Sequence, residues 1–196
     1  MRLFVTGISG LLGLNIALQT RGDFEVNGCY YNHPVTIEGV RPVKLDVTSF
    51  APLNQALRKI RPDVIVHTAG LTNVDACETN PMLAQKLNVQ ATLHIAKIAN
   101  AIGAKLIHIS TDHLFDGTKP FRTEEDALAP LNAYARTKRD SEIMVQETCP
   151  NALIIRTNFI GWGTSVRASF SDWVITSLEQ KRDMKMLYFT RDPPKT

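Results

Sequence analysis

Short runs of β-branched and other apolar residues alternate with longer stretches of helical periodicity along this chain. The first strand-like run covers residues 3–6, a helix-like segment covers 11–19, and a second strand-like run covers 24–30. Alternation of this kind is typical of βαβ units, in which each helix crosses between two parallel strands. The sequence therefore predicts an α/β protein with a parallel sheet.

The same periodicities, together with Pro and Gly at segment ends, predict the remaining elements. Strands are expected at 43–45, 64–67, 105–110, 152–156 and 185–189, and helices at 53–60, 81–101, 134–147 and 172–181. Residues 111–133 lack periodicity and contain two prolines, and a loop of that length usually has a function. We predict a nucleotide-binding domain with the catalytic residues at 1–165 and the start of an incomplete substrate-binding lobe at 166–196.

Composition excludes several classes of function. The 196 residues are 44% hydrophobic and bear a formal net charge of +3, which supports a packed core and disfavours nucleic acid as a partner. The cysteines, Cys29, Cys77 and Cys149, lack metal-site spacing, so we expect buried thiols, a reducing compartment and no metal. Neither a signal peptide nor a membrane-spanning run is recognisable, and we expect a cytoplasmic protein.

The segment TGISGLLG lies between the first predicted strand and the first predicted helix. Its glycines, Gly7, Gly10 and Gly13, are three residues apart. Such spacing permits a tight turn, close approach of backbone N–H groups to a pyrophosphate, and close packing of helix on sheet. The sequence therefore predicts a Rossmann-type, doubly wound parallel sheet with helices on both faces. The expected cofactor contacts in this loop are Gly7, Ser9, Gly10, Leu11, Leu12 and Gly13.

The end of the second predicted strand bears on the choice of cofactor. Many such folds have an acidic residue there that binds the ribose 2'-hydroxyl of NAD, whereas this chain has Tyr30-Tyr31-Asn32-His33. NADP(H) is therefore favoured, with NAD(H) left open. Asp46, with Val47 beside it, is expected at the adenine edge of the cofactor. The alternative for Asp46 is a local role at the start of the following helix.

Three further residues form a candidate catalytic set. Thr111 follows the fifth predicted strand, and Tyr134 and Lys138 are four residues apart on one helix, so they lie on one face of it. We expect the charge of Lys138 to lower the pKa of the Tyr134 phenol and so make it a general acid. Thr111 would orient a substrate carbonyl. These roles together predict transfer of hydride from a nicotinamide to a carbonyl carbon.

Several segments together resemble the dTDP-4-dehydrorhamnose reductase family of extended short-chain dehydrogenases/reductases. Besides the glycine loop and YARTK, they are TNVDACE (72–78), STDHLFDG (110–117), PLNAYARTKRDSE (130–142) and RTNFIGWG (156–163). The resemblance implies NAD(P)H-dependent reduction of the 4-keto group of a nucleotide-linked deoxysugar. Departures are Ala135 and Ser141, and a chain that ends early, from which we expect either a fragment or loss of the substrate lobe.

The resemblance also assigns roles to individual residues. Thr111, Tyr134 and Lys138 match the catalytic positions, and the last two also contact the cofactor. Asn88 matches an asparagine that kinks its helix and anchors a water near the lysine; an exposed polar position is the alternative. Thr68, Ala69 and Gly70 match a segment that lines the cofactor. His67, just before them, is expected to be a core histidine.

Two other functions are kept open. Relatives of this kind can serve as nucleotide-binding regulatory subunits without turnover, and nucleotide-sugar epimerases or dehydratases use the same scaffold. An epimerase or dehydratase would need further acid or base residues, none of which the sequence identifies. The identity of the sugar and the assembly state, including a homodimer, are also left open.

Overall fold

The structure is a computed structural model that describes residues 1–164 and 168–184. Its centre is a parallel sheet of six strands. In chain order the strands are β1 (Arg2–Thr6), β2 (Glu25–Tyr30), β3 (Val40–Lys44), β4 (Val64–His67), β5 (Lys105–Ile109) and β6 (Leu153–Ile155). The predicted strand at 185–189 lies outside the described residues.

The strands are arranged in the order β3-β2-β1-β4-β5-β6. This is the order of a dinucleotide-binding Rossmann fold, in which the chain reverses direction across the sheet next to β1. The carboxyl ends of β1, β4 and β5, at Thr6, His67 and Ile109, therefore meet at one edge. Ligands of open α/β sheets bind at such an edge.

Seven α-helices are described. They are α1 (Leu11–Thr20), α2 (Phe50–Ile60), α3 (Val74–Thr79), α4 (Pro81–Ala84), α5 (Ala91–Ile102), α6 (Ala133–Thr148) and α7 (Phe170–Glu179). A π-helical turn, Gln85–Gln90, joins α4 to α5, and a short 3-10 helix, Asp112–Leu114, follows β5.

Alternate residues of the strands face two apolar layers. Leu3 and Val5 of β1 pack in a cluster with Ala17 of α1, whereas Phe4 packs in a second cluster with residues of α2, α5 and α6. Helices therefore cover both faces of the sheet. The predicted fold class, a doubly wound Rossmann-type sheet, is confirmed.

Several elements differ from the predictions. The third strand begins three residues earlier than expected and contains Pro42, which is tolerated because β3 is an edge strand. The helix expected at 81–101 is interrupted by the π-helical turn, and α3 precedes it without having been predicted. The last helix begins at Phe170, because Ser169 and Asp172 form a capping box at its start.

The chain divides into two compact units, Met1–Phe159 and Ile160–Thr196. The first contains the whole sheet and α1 to α6, and the second contains α7. Within the described part of the chain, no helix is both long and apolar enough to cross a membrane.

Candidate active site

The glycine loop connects β1 to α1 at the carboxyl edge of the sheet. Gly7 has a φ of 66°, in the left-handed region that favours glycine, and its carbonyl accepts from the Gly10 N–H at 2.9 Å. A Cβ on Gly13 would lie only 2.3 Å from the Gly7 carbonyl oxygen. Gly13 is thus required for the close approach of α1 to the loop, as the sequence predicts.

The first turn of α1 contains backbone donors that the helix itself does not satisfy. Its N–H groups, those of Leu11, Leu12 and Gly13, have no acceptor within the helix. No side chain caps Gly10, the N-cap, and the first turn contains no acidic residue. Gly10 itself is exposed, and a Cβ there would contact only the Gly7 carbonyl oxygen, at 3.2 Å. These residues fit a pyrophosphate, because free N–H groups and the helix dipole both favour an anion.

Asp46 and Val47, the two residues expected to contact the adenosine end of the cofactor, interact with neighbouring residues of the protein. Asp46 accepts hydrogen bonds from the Thr48 N–H at 2.8 Å and the Thr48 hydroxyl at 2.7 Å, just before α2. The local role weighed for Asp46 therefore exists in the structure. Val47 is 9% exposed and packs in the core cluster.

The residues that directly follow β2, Tyr31-Asn32-His33, include no carboxylate. Tyr31 is 56% exposed at this end of the strand. Glu25 lies at the opposite end of β2, where it forms an ion pair with Arg41 of β3. Arg41 is thus directed away from the carboxyl edge.

Thr6, which the sequence analysis did not single out, organises the segment after β4. Its buried hydroxyl oxygen accepts from the N–H groups of Thr68 and Ala69, each at 3.1 Å, and it contacts His67 Nδ1 at 2.8 Å. The hydroxyl of Thr68 donates in turn to the Thr6 carbonyl. His67 is 1% exposed, which confirms it as a core histidine.

Tyr134 and Thr111 meet at this edge through their side chains. Burial of the ring raises the pKa of Tyr134 above 10.0, and this effect outweighs the lowering by the neighbouring Thr111 side chain. The Tyr134 ring also lies edge-on to His113, with the ring centroids 6.1 Å apart. The structure thus brings together the expected proton donor and the expected carbonyl-orienting hydroxyl.

Lys138 is buried on the same helix face, and its amine has its own partners. Nζ donates to the Ile109 carbonyl at 2.7 Å and lies 3.4 Å from His108 Nε2. Burial lowers the pKa of Lys138 from 10.5 to about 8, and the charge of Glu142 raises it in part. The expectation that Lys138 lowers the Tyr134 pKa is wrong in this structure, because burial of the phenol outweighs other effects and Lys138 is not among them.

Asn88 lies in the π-helical turn and is 2% exposed, so an exposed polar position is excluded. Its side-chain oxygen accepts from the Leu71 N–H at 2.7 Å, and its Nδ2 donates to the Leu71 carbonyl at 3.0 Å and the Thr137 hydroxyl at 2.9 Å. A Cβ on Gly70 would lie 2.9 Å from the Asn88 oxygen. Asn88 therefore fixes the segment after β4 against α6.

The start of α6 is held by two residues of separate motifs. Asn132, the N-cap, accepts from the Ala135 N–H at 2.8 Å, while Glu78 at the end of TNVDACE accepts from the Ala133 N–H. Arg136 lies 3.4 Å from the same Glu78 carboxylate. A carboxylate at a helix N-terminus is stabilising, and here it fixes the turn that contains Tyr134.

Glu142, one turn after Lys138 on α6, forms an ion pair with Arg156 that the sequence did not reveal. Arg156, just after β6, contacts the Glu142 carboxylate with Nε at 3.1 Å and with a terminal nitrogen at 2.8 Å, and Glu142 is 3% exposed on its side chain. The Arg156 guanidinium also lies 5.7 Å from the centre of the Phe115 ring. Both residues belong to motifs of the resemblance, but only the fold brings them together.

Within residues 1–164 and 168–184, no group of three or more His, Cys, Asp or Glu side chains could hold a metal ion. Cys29, Cys77 and Cys149 are all buried and free, as expected.

The sheet order, the glycine loop and the Thr111, Tyr134 and Lys138 set together define a nucleotide-binding oxidoreductase fold of the short-chain dehydrogenase/reductase kind. The family model described as the RmlD substrate binding domain matches residues 1–194. The chain belongs to this family, which is that of the dTDP-4-dehydrorhamnose reductases. The resemblance seen in the sequence is thereby confirmed.

Two curated relatives and one solved structure illustrate the likeness. The dTDP-4-dehydrorhamnose reductase of Salmonella typhimurium is 47% identical over 107 residues, 54% of this chain and 36% of its own length. Methionine adenosyltransferase 2 subunit beta of Rattus norvegicus is 37% identical over 158 residues, 79% of this chain and 46% of its own length. The chain thus spans half or less of the length of these two relatives.

The solved structure is the dTDP-4-dehydrorhamnose reductase from Bacillus anthracis in complex with NADP. It superimposes with a TM-score of 0.77 at 27% identity, over 93% of this chain and 61% of that one.

Proposed function

We propose that this chain provides the cofactor-binding and proton-donating part of a reductase that acts on the 4-keto group of a nucleotide-linked deoxysugar with NAD(P)H. The observation that supports it most is that Thr111 and Tyr134 lie close enough at the carboxyl edge of the sheet for the Thr111 side chain to lower the pKa of Tyr134. Family membership supports the class of substrate. The glycine loop and the uncapped first turn of α1 support the class of cofactor.

Each residue has a stated role in this proposal. The N–H groups at the start of α1 bind the pyrophosphate, and Thr68, Ala69 and Gly70 line the cofactor. When bound, the reduced nicotinamide supplies a hydride to the carbonyl carbon. Tyr134 gives its proton to the carbonyl oxygen, so that hydride and proton together convert the ketone to an alcohol. Thr111 orients the carbonyl oxygen, and Lys138 provides a buried positive charge behind Tyr134.

We further propose a preference for NADPH. The residues that directly follow β2 include no acid that would repel a 2'-phosphate, and the acid on that strand, Glu25, forms its ion pair at the other end. The relative from Bacillus anthracis was crystallised with NADP. The three free, buried thiols support a reducing compartment, and we propose the cytoplasm.

The test has two stages. Dissociation constants for NADPH and NADH are first measured by titration. NADPH oxidation is then followed in the presence of a dTDP-linked 4-keto-6-deoxysugar. The proposal predicts cofactor binding followed by formation of the reduced sugar nucleotide. Tight cofactor binding without turnover would contradict the enzymatic part of the proposal but not the cofactor part.

A regulatory subunit is the second candidate function. It is favoured by the similarity to methionine adenosyltransferase 2 subunit beta, which extends over more of this chain than the similarity to the Salmonella enzyme. This candidate predicts that the chain co-purifies with a methionine adenosyltransferase catalytic subunit and does not oxidise NADPH with the keto sugar. Turnover without such a complex would exclude it.

A further inference from the structure

A buried pair of histidines lies next to Lys138, and neither has a role in the proposed reductase function. His67 and His108, at neighbouring positions of β4 and β5, are stacked with their ring centroids 5.6 Å apart. His67 has two hydroxyl partners, Thr6 at 2.8 Å and Thr92 at 3.0 Å. His108 is 0% exposed, and its Nδ1 is buried without a hydrogen-bond partner. The two rings are thus equally buried, but only in His67 do both ring nitrogens have a hydrogen-bond partner.

The partners of His108 are all on the side of Nε2. This atom lies 3.4 Å from Lys138 Nζ and 3.1 Å from the Ser141 hydroxyl oxygen. The Ser141 hydroxyl donates to the Lys138 carbonyl at 2.7 Å, so its one proton has an acceptor already. The ammonium group of a lysine can only donate. The Ser141 oxygen could accept a proton from Nε2, but that proton would also face the Lys138 cation, whereas a lone pair on Nε2 would accept a hydrogen bond from the cation.

We propose that His108 is a positioning residue for Lys138: its neutral ring has the proton on Nδ1 and accepts a hydrogen bond from the Lys138 ammonium through Nε2. The Ile109 carbonyl and His108 then hold two of the three ammonium protons, which directs the third away from β5. This inference rests on the proposed function only for its effect on catalysis. In this arrangement the cation determines which nitrogen has the proton, and Nδ1–H is a buried donor without a hydrogen-bond partner.

The charges around Lys138 are consistent with a neutral ring. Burial lowers the pKa of His108 well below 6.5, and the charge of Lys138 lowers it further. Burial likewise lowers the pKa of His67 to about 3. The acidic group that acts on Lys138 in the described structure is Glu142 on the same helix, itself paired with Arg156. Neither imidazole therefore competes with Lys138 for a proton.

The protonation of the His108 ring can be measured directly on the parent chain. Nitrogen-15 NMR of the imidazoles distinguishes a protonated ring nitrogen from one with a lone pair. We expect the Nδ1–H form of His108 near neutral pH and a change toward the Nε2–H form as Lys138 loses its proton, with a midpoint at about 8. An Nε2–H ring below that pH would overturn the proposal. This measurement needs neither cofactor nor turnover.

Variants test the effect on Lys138. His108→Phe keeps a ring but removes the acceptor, so the pKa of Lys138 falls. The decline of reductase activity with rising pH should then occur at a pH about one unit lower than in the parent. His108→Gln retains an acceptor and should return the decline toward that of the parent. His67→Gln is the matched control on the neighbouring strand, and it should not move this decline.

The outcomes separate this inference from the proposed function. If no keto sugar is reduced, the proposed function fails while the NMR result still decides the state of His108. If His108→Phe does not fold, the NMR measurement on the parent chain still decides the protonation state of His108, and His108→Gln still reports on the pH dependence. A positioning role for His108 would be contradicted if the alkaline decline of activity occurred at the same pH in folded His108→Phe as in the parent. It would also be contradicted if His67→Gln shifted that decline equally.

Discussion

The two sides of the sheet form the candidate site in different ways. On the side of β1 and β2 the site consists of backbone: Gly7 turns the chain, Gly13 admits α1, and α1 begins without a side-chain cap. On the side of β4 and β5 it consists of buried polar side chains, among them His108 and Lys138. The first side depends on the absence of side chains, and the second depends on their pKa values and partners.

This difference determines how each side responds to substitution. A Cβ added on the backbone side should alter packing or cofactor affinity and leave proton transfer unchanged. Removal of a polar group on the other side should change proton transfer or its pH dependence and leave cofactor affinity largely unchanged. Substitutions on each side therefore test whether cofactor affinity and proton transfer can be changed separately.

Tyr134→Phe removes the hydroxyl that donates the proton but keeps the ring that packs with Cys77, Ala84 and Ala133. We expect reductase activity to fall by about 100-fold or more, the usual contribution of a general acid. Thermal unfolding and NADPH titration should both remain close to the parent. Retention of most of the activity would assign proton donation to another group.

Gly13→Ala tests the backbone side. The new Cβ would lie 2.3 Å from the Gly7 carbonyl oxygen, so α1 must move away from the loop. We expect a loss of about 1–3 kcal/mol in the free energy of unfolding, as for other overpacked sites. The matched control is Gly22→Ala, because a Cβ there has nothing within 4 Å. Equal stability of the two variants would contradict the close approach.

Gly10→Val separates affinity from stability on the same side. Gly10 is exposed, and a Cβ there meets only one atom at 3.2 Å, so the fold should tolerate the change better than at Gly13. The branched side chain would occupy space beside the free N–H groups of α1, and NADPH should bind about tenfold more weakly. Titration of NADPH checks this, and unchanged affinity would argue against a pyrophosphate at this turn.

Glu142→Gln tests the polar side by removing one buried charge, which also weakens the ion pair with Arg156. Glu142 raises the pKa of Lys138, so its neutralisation should lower that pKa below its value of about 8. Lys138 would then lose its proton at lower pH, and the alkaline decline of activity should begin earlier. A pH profile of kcat measures this. Movement of the decline to higher pH would contradict the sign of the interaction.

The smallest effect is expected for Tyr31→Asp, at the exposed end of β2. A carboxylate there would repel a 2'-phosphate and could accept from a 2'-hydroxyl, so preference should shift from NADPH toward NADH. The ratio of the two dissociation constants, in parent and variant, measures the shift. A parent that binds NADH tenfold more tightly than NADPH would contradict the proposed preference.

Local sequence patterns were sufficient to predict most of the backbone side. Periodicity indicated the βαβ order, and the spacing of Gly7, Gly10 and Gly13 indicated the loop, because both depend on neighbouring residues. The set Thr111, Tyr134 and Lys138 was predicted by spacing and position. The π-helical turn around Asn88 was implied only by the family resemblance, since nothing in the helical periodicity distinguishes it.

The polar side could be predicted only in part, because its properties depend on residues distant in the chain. The upward direction of the Tyr134 pKa results from burial by α3 and α4, and the pairing of Glu142 with Arg156 requires β6 to lie beside β5. The contact of His108 with Lys138 joins two elements 30 residues apart. Sequence spacing contains no information on such contacts or on how much solvent they exclude.

The most direct test of the proposed function is isotope transfer. NADPH deuterated at the reactive position of the nicotinamide is incubated with the chain and a dTDP-linked 4-keto-6-deoxysugar, and the sugar product is analysed by mass spectrometry and NMR. We predict deuterium at carbon 4 of the reduced sugar, with a rate at least about 100-fold lower for Tyr134→Phe. Cofactor binding with no deuterium in the sugar would contradict the account.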